Sequence, residues 1–117
     1  MSKLLVTLDS RDAHTAVVFI QGSADIAGHD YLKAEMAKAH ASPCKSIVVD
    51  IRKMDFVTSL GVGEFISLAK AKKAQGGKVA LAGPNQYVGG VFEKARLSTV
   101  IPIFPGVDEA LAAVKLN

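Results

Sequence analysis

The stretch from Ser46 to Gly77 constrains the fold of this chain more than any other. It opens with the apolar run Ile47-Val48-Val49, passes through a short polar segment, and continues as a long helical pattern that ends at Gly76-Gly77. Apolar side chains in that pattern recur three and four residues apart, which places Val62, Phe65, Ile66 and Ala69 on one helix face. A buried strand that leads directly into an amphipathic helix is the unit from which parallel α/β sheets are built.

Further strands and helices are predicted on both sides of this unit. The strands are Lys3–Leu8, Thr15–Ile20, Ser46–Ile51, Lys78–Ala82 and Thr99–Phe104, and the helices are Asp30–His40, Leu60–Gln75, Gln86–Ala95 and a last one after Pro105-Gly106. The short turn between the first two strands predicts an antiparallel hairpin, and the later alternation of helix and strand predicts parallel pairing. We therefore expect an α/β fold, a mixed sheet with a parallel core of about five strands and about four helices, in a single domain over residues 1–117.

Three details of this prediction can be checked directly. Residues 21–25 are expected to form a polar loop after the second strand, and residues 52–58 a loop before the long helix. Tyr87, Val91 and Phe92 are expected to face inward from the third helix. Pro102 is expected to place the last strand at an edge of the sheet, because proline cannot donate to a strand ladder.

The composition of the chain argues against several classes of function. Half of its residues are apolar, so the chain is expected to fold around a core rather than remain disordered. Its net charge of +3 comes from lysines spread over several segments, and the few aromatic residues do not alternate with them, so direct nucleic-acid binding is not expected. Lys70, Lys72 and Lys73 are clustered, but positive charge near a helix C-terminus is favourable for the helix itself and is interpreted as a solvated face.

The sequence also predicts a cytoplasmic protein that has no membrane-spanning segment and binds no metal or cofactor. The single cysteine, Cys44, has no partner for an internal disulfide and is interpreted as a small apolar filler. The N-terminus lacks the apolar core of a signal peptide, and no apolar run approaches the roughly 18 residues of a membrane span. The segment Gly61-Val62-Gly63 lacks the third glycine of a dinucleotide loop and is not followed by a Walker lysine. Other candidate ligands are interpreted as surface, turn or strand-end residues; they are His14, His29, His40, Asp50 and Asp55.

Two hydroxyl residues stand where the third strand gives way to the long helix. Thr58 and Ser59 occupy the expected helix start, where a side-chain oxygen can cap the free N–H groups of the first turn. A helix N-terminus also stabilises an added anion, so Ser59 has a second interpretation as a phosphorylation site. Asp25 follows the neighbouring strand and is expected at the same edge of the sheet, either as a turn residue or as part of the site.

The order of the elements and three local patterns resemble the STAS domain of bacterial anti-sigma factor antagonists. The patterns are Gly22-Ser23-Ala24-Asp25, the segment Ile47–Ile51 followed by Met54–Gly63, and Pro105–Leu111. The resemblance covers essentially the whole chain. It implies a partner-switching protein that binds a serine kinase anti-sigma factor, is phosphorylated by it at the start of the long helix, and is reset by a serine phosphatase.

The resemblance also implies roles for particular residues. The phosphoacceptor falls on Ser59, with Thr58 as its rival, and the loop aspartate of the family falls on Asp25. The partner would then be bound by Asp25 and by the residues around the acceptor, namely Val57, Thr58, Leu60, Gly61, Val62 and Gly63. Such a protein is a kinase substrate and not an enzyme; Ser59 as a nucleophile would need a nearby base, and His29 is the one histidine expected at that end.

This sequence departs from the family at the acceptor itself. Many members have an acidic residue before the acceptor serine and a hydroxyl residue after it, where this chain has Thr58 and Leu60. An alternative is therefore a non-phosphorylated STAS scaffold, or a subunit of a larger complex in stress signalling or transport.

Overall fold

The computed structural model describes residues 3–116, and over that range the chain forms a five-stranded mixed sheet with helices on both faces. The elements in chain order are β1 (Leu5–Ser10), β2 (Thr15–Ala24), α1 (His29–Ala41), β3 (Ser46–Val57), α2 (Ser59–Ala74), β4 (Lys78–Ala82), α3 (Gln86–Lys94), β5 (Ile103–Phe104) and α4 (Val107–Val114). The spatial order of the strands is β1-β2-β3-β4-β5, with β1 antiparallel to β2 and all other pairs parallel. The mixed sheet, the first hairpin and the edge position of the last strand are confirmed.

Two hydrophobic clusters lie on opposite faces of the sheet. The larger one is formed with α1, α2 and α3, whose central side chains include Leu32, Phe65 and Phe92. The smaller one lies under α4 and includes Ala110 and Val114. Because α1, α2 and α3 each connect successive parallel strands, their N-termini meet at the same edge of the sheet, beyond the carboxyl ends of the strands.

Strands β2 and β3 run further than the sequence pattern predicted. Residues 21–24 and 52–57, which were expected to be loops, are the last parts of β2 and β3 and pair with each other beyond the end of β4. The register of this pairing shifts twice, and each shift inserts one extra residue into β3. The two bulges make buried residues recur at every third position, at Ile51, Met54 and Val57. A period of three fits neither a strand nor a helix, which is why the sequence indicated a loop.

The expected inner face of α3 is confirmed for Val91 and Phe92, which pack in or against the larger hydrophobic cluster, and is wrong for Tyr87. Tyr87 is 53% exposed, whereas its neighbour Val88 is completely buried together with Phe92. Tyr87 instead stacks on Phe56 at the end of β3, with ring centroids 5.6 Å apart. The last strand is also shorter than predicted: Thr99 belongs to a 3₁₀ turn, residues 100–102 are irregular, and β5 is Ile103–Phe104.

Lys72 of α2 is buried rather than part of a solvated face. Its Nζ donates to the carbonyl oxygens of Ser42 at 2.9 Å and His40 at 3.4 Å, at the end of α1. A helix end leaves such carbonyls without internal partners, so the lysine satisfies them and fixes α2 to α1. Burial lowers the pKa of Lys72, because the charged form is poorly solvated there. The adjacent Cys44 is also buried, as expected of an apolar filler.

This burial predicts a stability change at alkaline pH. Between the lowered pKa of Lys72 and its ordinary value of 10.5, the unfolded chain holds a proton that the folded chain lacks. The free energy of unfolding should therefore rise with pH in that window and be lowest below the folded-state pKa. Denaturant unfolding of the wild type and Lys72→Met from pH 7 to pH 10.5 measures it: the difference in favour of the wild type should grow with pH. A constant or shrinking difference would contradict the assignment.

Candidate functional site

The start of α2 lies at the carboxyl end of β3, beside the end of β2. The backbone N–H of Thr58 donates to the carbonyl oxygen of Ala24 at 3.1 Å, and the carbonyl oxygen of Thr58 accepts from the N–H of Val62 at 3.1 Å. Ser59 is the first residue of the helix and is exposed. The site therefore combines a backbone that is bonded to both neighbouring elements with a serine that solvent reaches.

Thr58 stands at the N-cap of α2, but its side chain does not cap the helix. Its hydroxyl oxygen is buried and has no hydrogen-bond partner among the described residues. The expectation that a hydroxyl here accepts from the first turn is therefore wrong for Thr58. The two hydroxyl residues look equivalent in the sequence, but in the structure only Ser59 is exposed to a modifying enzyme.

The unpartnered hydroxyl of Thr58 leads to a prediction about the stability of the protein. A desolvated hydroxyl without a partner costs about 1–3 kcal/mol, and an apolar group of the same shape avoids that cost. Thr58→Val should therefore raise the free energy of unfolding by about 1 kcal/mol, as measured by denaturant unfolding. Thr58→Ser keeps the hydroxyl and removes the methyl group, so it should give no gain. A loss of stability in Thr58→Val would mean that the hydroxyl caps the helix in solution.

The surface around Ser59 is smaller than the sequence implied. Leu60 is 48% exposed and Gly63 is exposed one turn further along α2. Three other residues assigned to partner binding lie beneath this surface and are buried; they are Val57, Gly61 and Val62. Their side chains or backbone pack against the core and expose little surface, and their assignment to partner binding stays a prediction.

The fold requires glycine at one of the two glycine positions in the first turns of α2, but not at the other. A Cβ atom at Gly61 would stand 2.8 Å from Cγ2 of Val57, so glycine there allows the helix to approach β3 closely. A Cβ atom at Gly63 would meet nothing within 4 Å. Glycine inside a helix costs about 1 kcal/mol relative to alanine, and no described contact compensates this cost at Gly63. The bare backbone at Gly63 is therefore a candidate for close approach by another molecule.

Asp25 lies in the turn between β2 and α1, at the same edge of the sheet. Its carboxylate accepts from the backbone N–H of Gly28 at 2.8 Å, so the turn interpretation is confirmed. This bond shapes the loop that presents Ile26, whose side chain is 75% exposed. Ile26 was not predicted to belong to the site, although an isoleucine in a loop between Asp25 and Ala27 indicates an apolar side chain that is available for contact.

The stacked pair of Phe56 and Tyr87 adds an aromatic surface at the end of β3, three residues before Ser59. Neither residue was assigned to the site from sequence, because Phe56 was placed in a loop and Tyr87 in the core. We call Ile26, Leu60, Gly63 and Tyr87 the rim, since all four are exposed around the start of α2 or at the neighbouring helix N-termini. The rim is mostly apolar and carries no charge of its own.

His29 connects α1 to α2 next to the rim. Its Nε2 lies 4.0 Å from Oε2 of Glu64, and both side chains are about one fifth exposed. His29 and His40 lie in α1 and are both partly exposed, in agreement with their interpretation as surface residues. His29 belongs to α1 and Glu64 to α2, so this contact lies between α1 and the first turns of α2.

The carboxylates Asp50 and Asp55 lie in β3, not at a strand end or in a turn. Asp50 is buried and ion-paired with Arg52, and Asp55 accepts from the hydroxyl of Ser23. Among residues 3–116 no group of three or more histidine, cysteine, aspartate and glutamate side chains is arranged to hold a metal ion. Within the same residues, no helix has the length and apolar character needed to cross a bilayer.

Comparison with known proteins defines the class. The family model of the STAS domain matches residues 7–110, so the chain belongs to the STAS domain family. An anti-sigma F factor antagonist of Paenibacillus polymyxa is 24% identical over 106 residues, covering 88% of this chain and 91% of that protein. BtrV of Bordetella bronchiseptica, named as a candidate anti-sigma factor antagonist, is 26% identical over 110 residues and 94% of either chain.

Solved structures show the same fold at lower identity. A candidate anti-sigma factor antagonist from Thermotoga maritima has a TM-score of 0.83 at 18% identity, over 93% of either chain. The phosphorylated form of the Bacillus cell fate determinant SpoIIAA has a TM-score of 0.71 at 20% identity, over 95% of this chain and all of that one. A sulfate transporter family protein from Wolinella succinogenes has a TM-score of 0.68 at 18% identity, over 85% of this chain and 83% of that one.

Proposed function

We propose that this protein is an anti-sigma factor antagonist that binds a serine kinase anti-sigma factor through the rim and is released when that kinase phosphorylates Ser59. The observation that carries the proposal is the exposed position of Ser59 at the first residue of α2, beside the buried hydroxyl of Thr58. The antagonist names of its full-length relatives support the same class of function.

A phosphoryl group on Ser59 is compatible with the folded protein. The first turn of α2 contains no acidic residue that would repel it. The free N–H groups of a helix N-terminus stabilise a nearby anion by about 0.3–1 kcal/mol. We therefore expect the modified protein to keep its fold and nearly all of its stability.

The same group would be costly in a complex. Docking on the rim would place the side chain of Leu60 and the bare backbone of Gly63 against the partner and exclude water from Ser59. A phosphoryl group adds a charge of about −1.5 to −2, which loses its hydration there and is repelled by any acidic group that faces it. Phosphorylation therefore acts as a switch, because it leaves the fold stable but weakens the complex.

The cycle needs two partners. The serine kinase anti-sigma factor supplies the phosphate from ATP, and a serine phosphatase removes it and restores the binding surface. We assign this cycle to the cytoplasm, where sigma factors act. The protein itself serves as a substrate and a competitor for the kinase, so no catalytic residue is assigned to it.

Phosphate mapping tests the proposal. The protein is incubated with ATP and the serine kinase anti-sigma factor from its own genome, and modified residues are located by mass spectrometry. We expect one phosphate, on Ser59, and none in Ser59→Ala, which retains Thr58. Phosphate on Thr58, or none on the wild type, would overturn the assignment of the acceptor.

A second candidate is a constitutive STAS subunit of a larger signalling or transport complex. Two observations favour it: Thr58 stands where many family members have an acidic residue, and the fold matches that of a sulfate transporter family protein. This candidate predicts that a negative charge at position 59 leaves partner affinity unchanged, whereas the switch predicts a large loss.

A further inference from the structure

A cavity of about 340 Å³ lies on the α4 face of the sheet, and none of its lining residues belongs to the rim. Helix α4 packs mainly on β3, β4 and β5 and, among the described residues, leaves Leu5, Thr7 and Gln21 of β1 and β2 exposed on this face. The floor of the cavity includes Leu5, which is 45% exposed, and the partly buried ring of Phe19. Thr7 and Gln21 add polar groups to its walls.

The negative charge in the lining of this cavity is buried, whereas the positive charges are exposed. Asp50 is 4% exposed, and its carboxylate accepts from Nε of Arg52 at 3.0 Å, from Nη2 at 2.9 Å and from the backbone N–H of the same arginine at 3.1 Å. The negative charge is therefore buried and satisfied. The charged side chains of the lining that remain exposed are Arg52, at 57%, and Lys53, and the exposed carboxylate of Asp108 on α4 lies close enough to Arg52 to interact with its charge.

The fold builds this arrangement in two ways. The first bulge of β3 places Arg52 and Lys53 consecutively on the exposed side of the strand, where a regular strand would turn one of them inward. Gly83 then makes room for the arginine stem, because a Cβ atom there would lie 2.2 Å from Cγ of Arg52. Asp50 binds the guanidinium and Gly83 leaves space for the arginine stem, so the position of Arg52 in the cavity lining does not depend on a ligand.

We propose that this cavity binds a small organic anion with an apolar body, its acidic group at Arg52 and Lys53 and its body on Leu5 and Phe19. The cavity lies within the range of about 300–1,000 Å³ that small-molecule sites occupy, and it combines an apolar floor with a few convergent polar groups as such sites do. The lining carries two cations and one carboxylate, and because Asp50 already pairs with Arg52, the remaining positive charge comes mainly from Lys53 and favours an anion over a neutral molecule of the same shape. The site is independent of Ser59 and of the proposed kinase partner.

A titration with 2-naphthoate tests the proposal, with 2-naphthamide as a neutral molecule of nearly the same shape. Amide chemical shifts of the full-length protein, followed by ¹H–¹⁵N NMR, should move saturably at Leu5, Thr7, Phe19, Gln21, Arg52 and Lys53, while those of Ser59 and Leu60 stay in place. The amide should bind about tenfold more weakly, which is about 1.4 kcal/mol. Shifts centred on the rim, no shifts, or equal binding of the two probes would overturn the proposal.

Charge reversal provides a matched pair of variants. Lys53→Glu should weaken 2-naphthoate about tenfold, since it replaces an attraction by a repulsion at an exposed site. Lys33→Glu makes the same change on the exposed face of α1 and should leave affinity unchanged. Lys53→Gln, which removes the charge without adding a new one, should give an intermediate loss. Equal affinities for Lys53→Glu and Lys33→Glu would place the anion elsewhere.

Discussion

Replacing Ser59 with aspartate is expected to weaken binding to the serine kinase anti-sigma factor by about a hundredfold or more. The carboxylate would be desolvated where the partner covers the start of α2, and an unpaired buried charge at an interface costs about 2–5 kcal/mol. A hundredfold loss corresponds to about 2.7 kcal/mol. Isothermal titration calorimetry with the purified kinase in the presence of nucleotide measures the effect.

The stability of the same variant should hardly change. Ser59 is exposed at the first position of a helix, where a negative side chain is favourable by about 0.3–1 kcal/mol. Ser67→Asp is the matched control, because Ser67 is an exposed serine two turns along the same helix. It should retain wild-type affinity. If Ser59→Asp binds as tightly as Ser67→Asp, the switch is wrong and the constitutive subunit is the better function.

The sequence was a reliable guide to the order of elements and to the position of Ser59. Strand β4 has the predicted bounds, and the predicted helix α1 buries Leu32, Met36 and Ala39, which are spaced three and four residues apart. These features depend on local patterns, an apolar run or a repeat of three and four, that a neighbouring strand or helix does not alter. Ser59 lies at the helix start, as predicted, beyond the carboxyl end of β3.

The residues of the rim were harder to predict, because strand bulges and burial determine which side chains are exposed there. A pattern of alternating residues assumes a regular strand, whereas β3 gains two residues relative to β2 and so leaves Asp55 exposed and Phe56 partly exposed. The same change lets Phe56 meet Tyr87, which the helical pattern of α3 had assigned to the core. The difference between Thr58 and Ser59 was also invisible, because it depends on which of two adjacent hydroxyls the neighbouring strands cover.

Gly22 shows how a pattern attributed to function is required by the fold. It belongs to the segment Gly22–Asp25 that contributed to the family resemblance, and it lies in β2 opposite Met54, next to the second bulge. Its φ angle is +91°, and a Cβ atom there would lie 2.1 Å from the carbonyl oxygen of Lys3. Glycine is therefore needed twice, for the backbone conformation and for the close approach of the segment before β1. Its position stabilises the end of β2, whose Ala24 carbonyl holds the start of α2.

Gly22→Ala is accordingly expected to lower the free energy of unfolding by about 3 kcal/mol or more, a large share of the roughly 5–15 kcal/mol of a typical domain. A left-handed conformation costs an alanine about 1–2 kcal/mol, and displacing packed backbone adds about 1–3 kcal/mol. Gly76→Ala separates the two contributions, because Gly76 has a φ of +82° but a Cβ atom there meets nothing within 4 Å. It should lose only about 1 kcal/mol in the same denaturant experiment. Equal losses at the two positions would show that backbone conformation alone requires Gly22, and that the segment before β1 moves aside without cost.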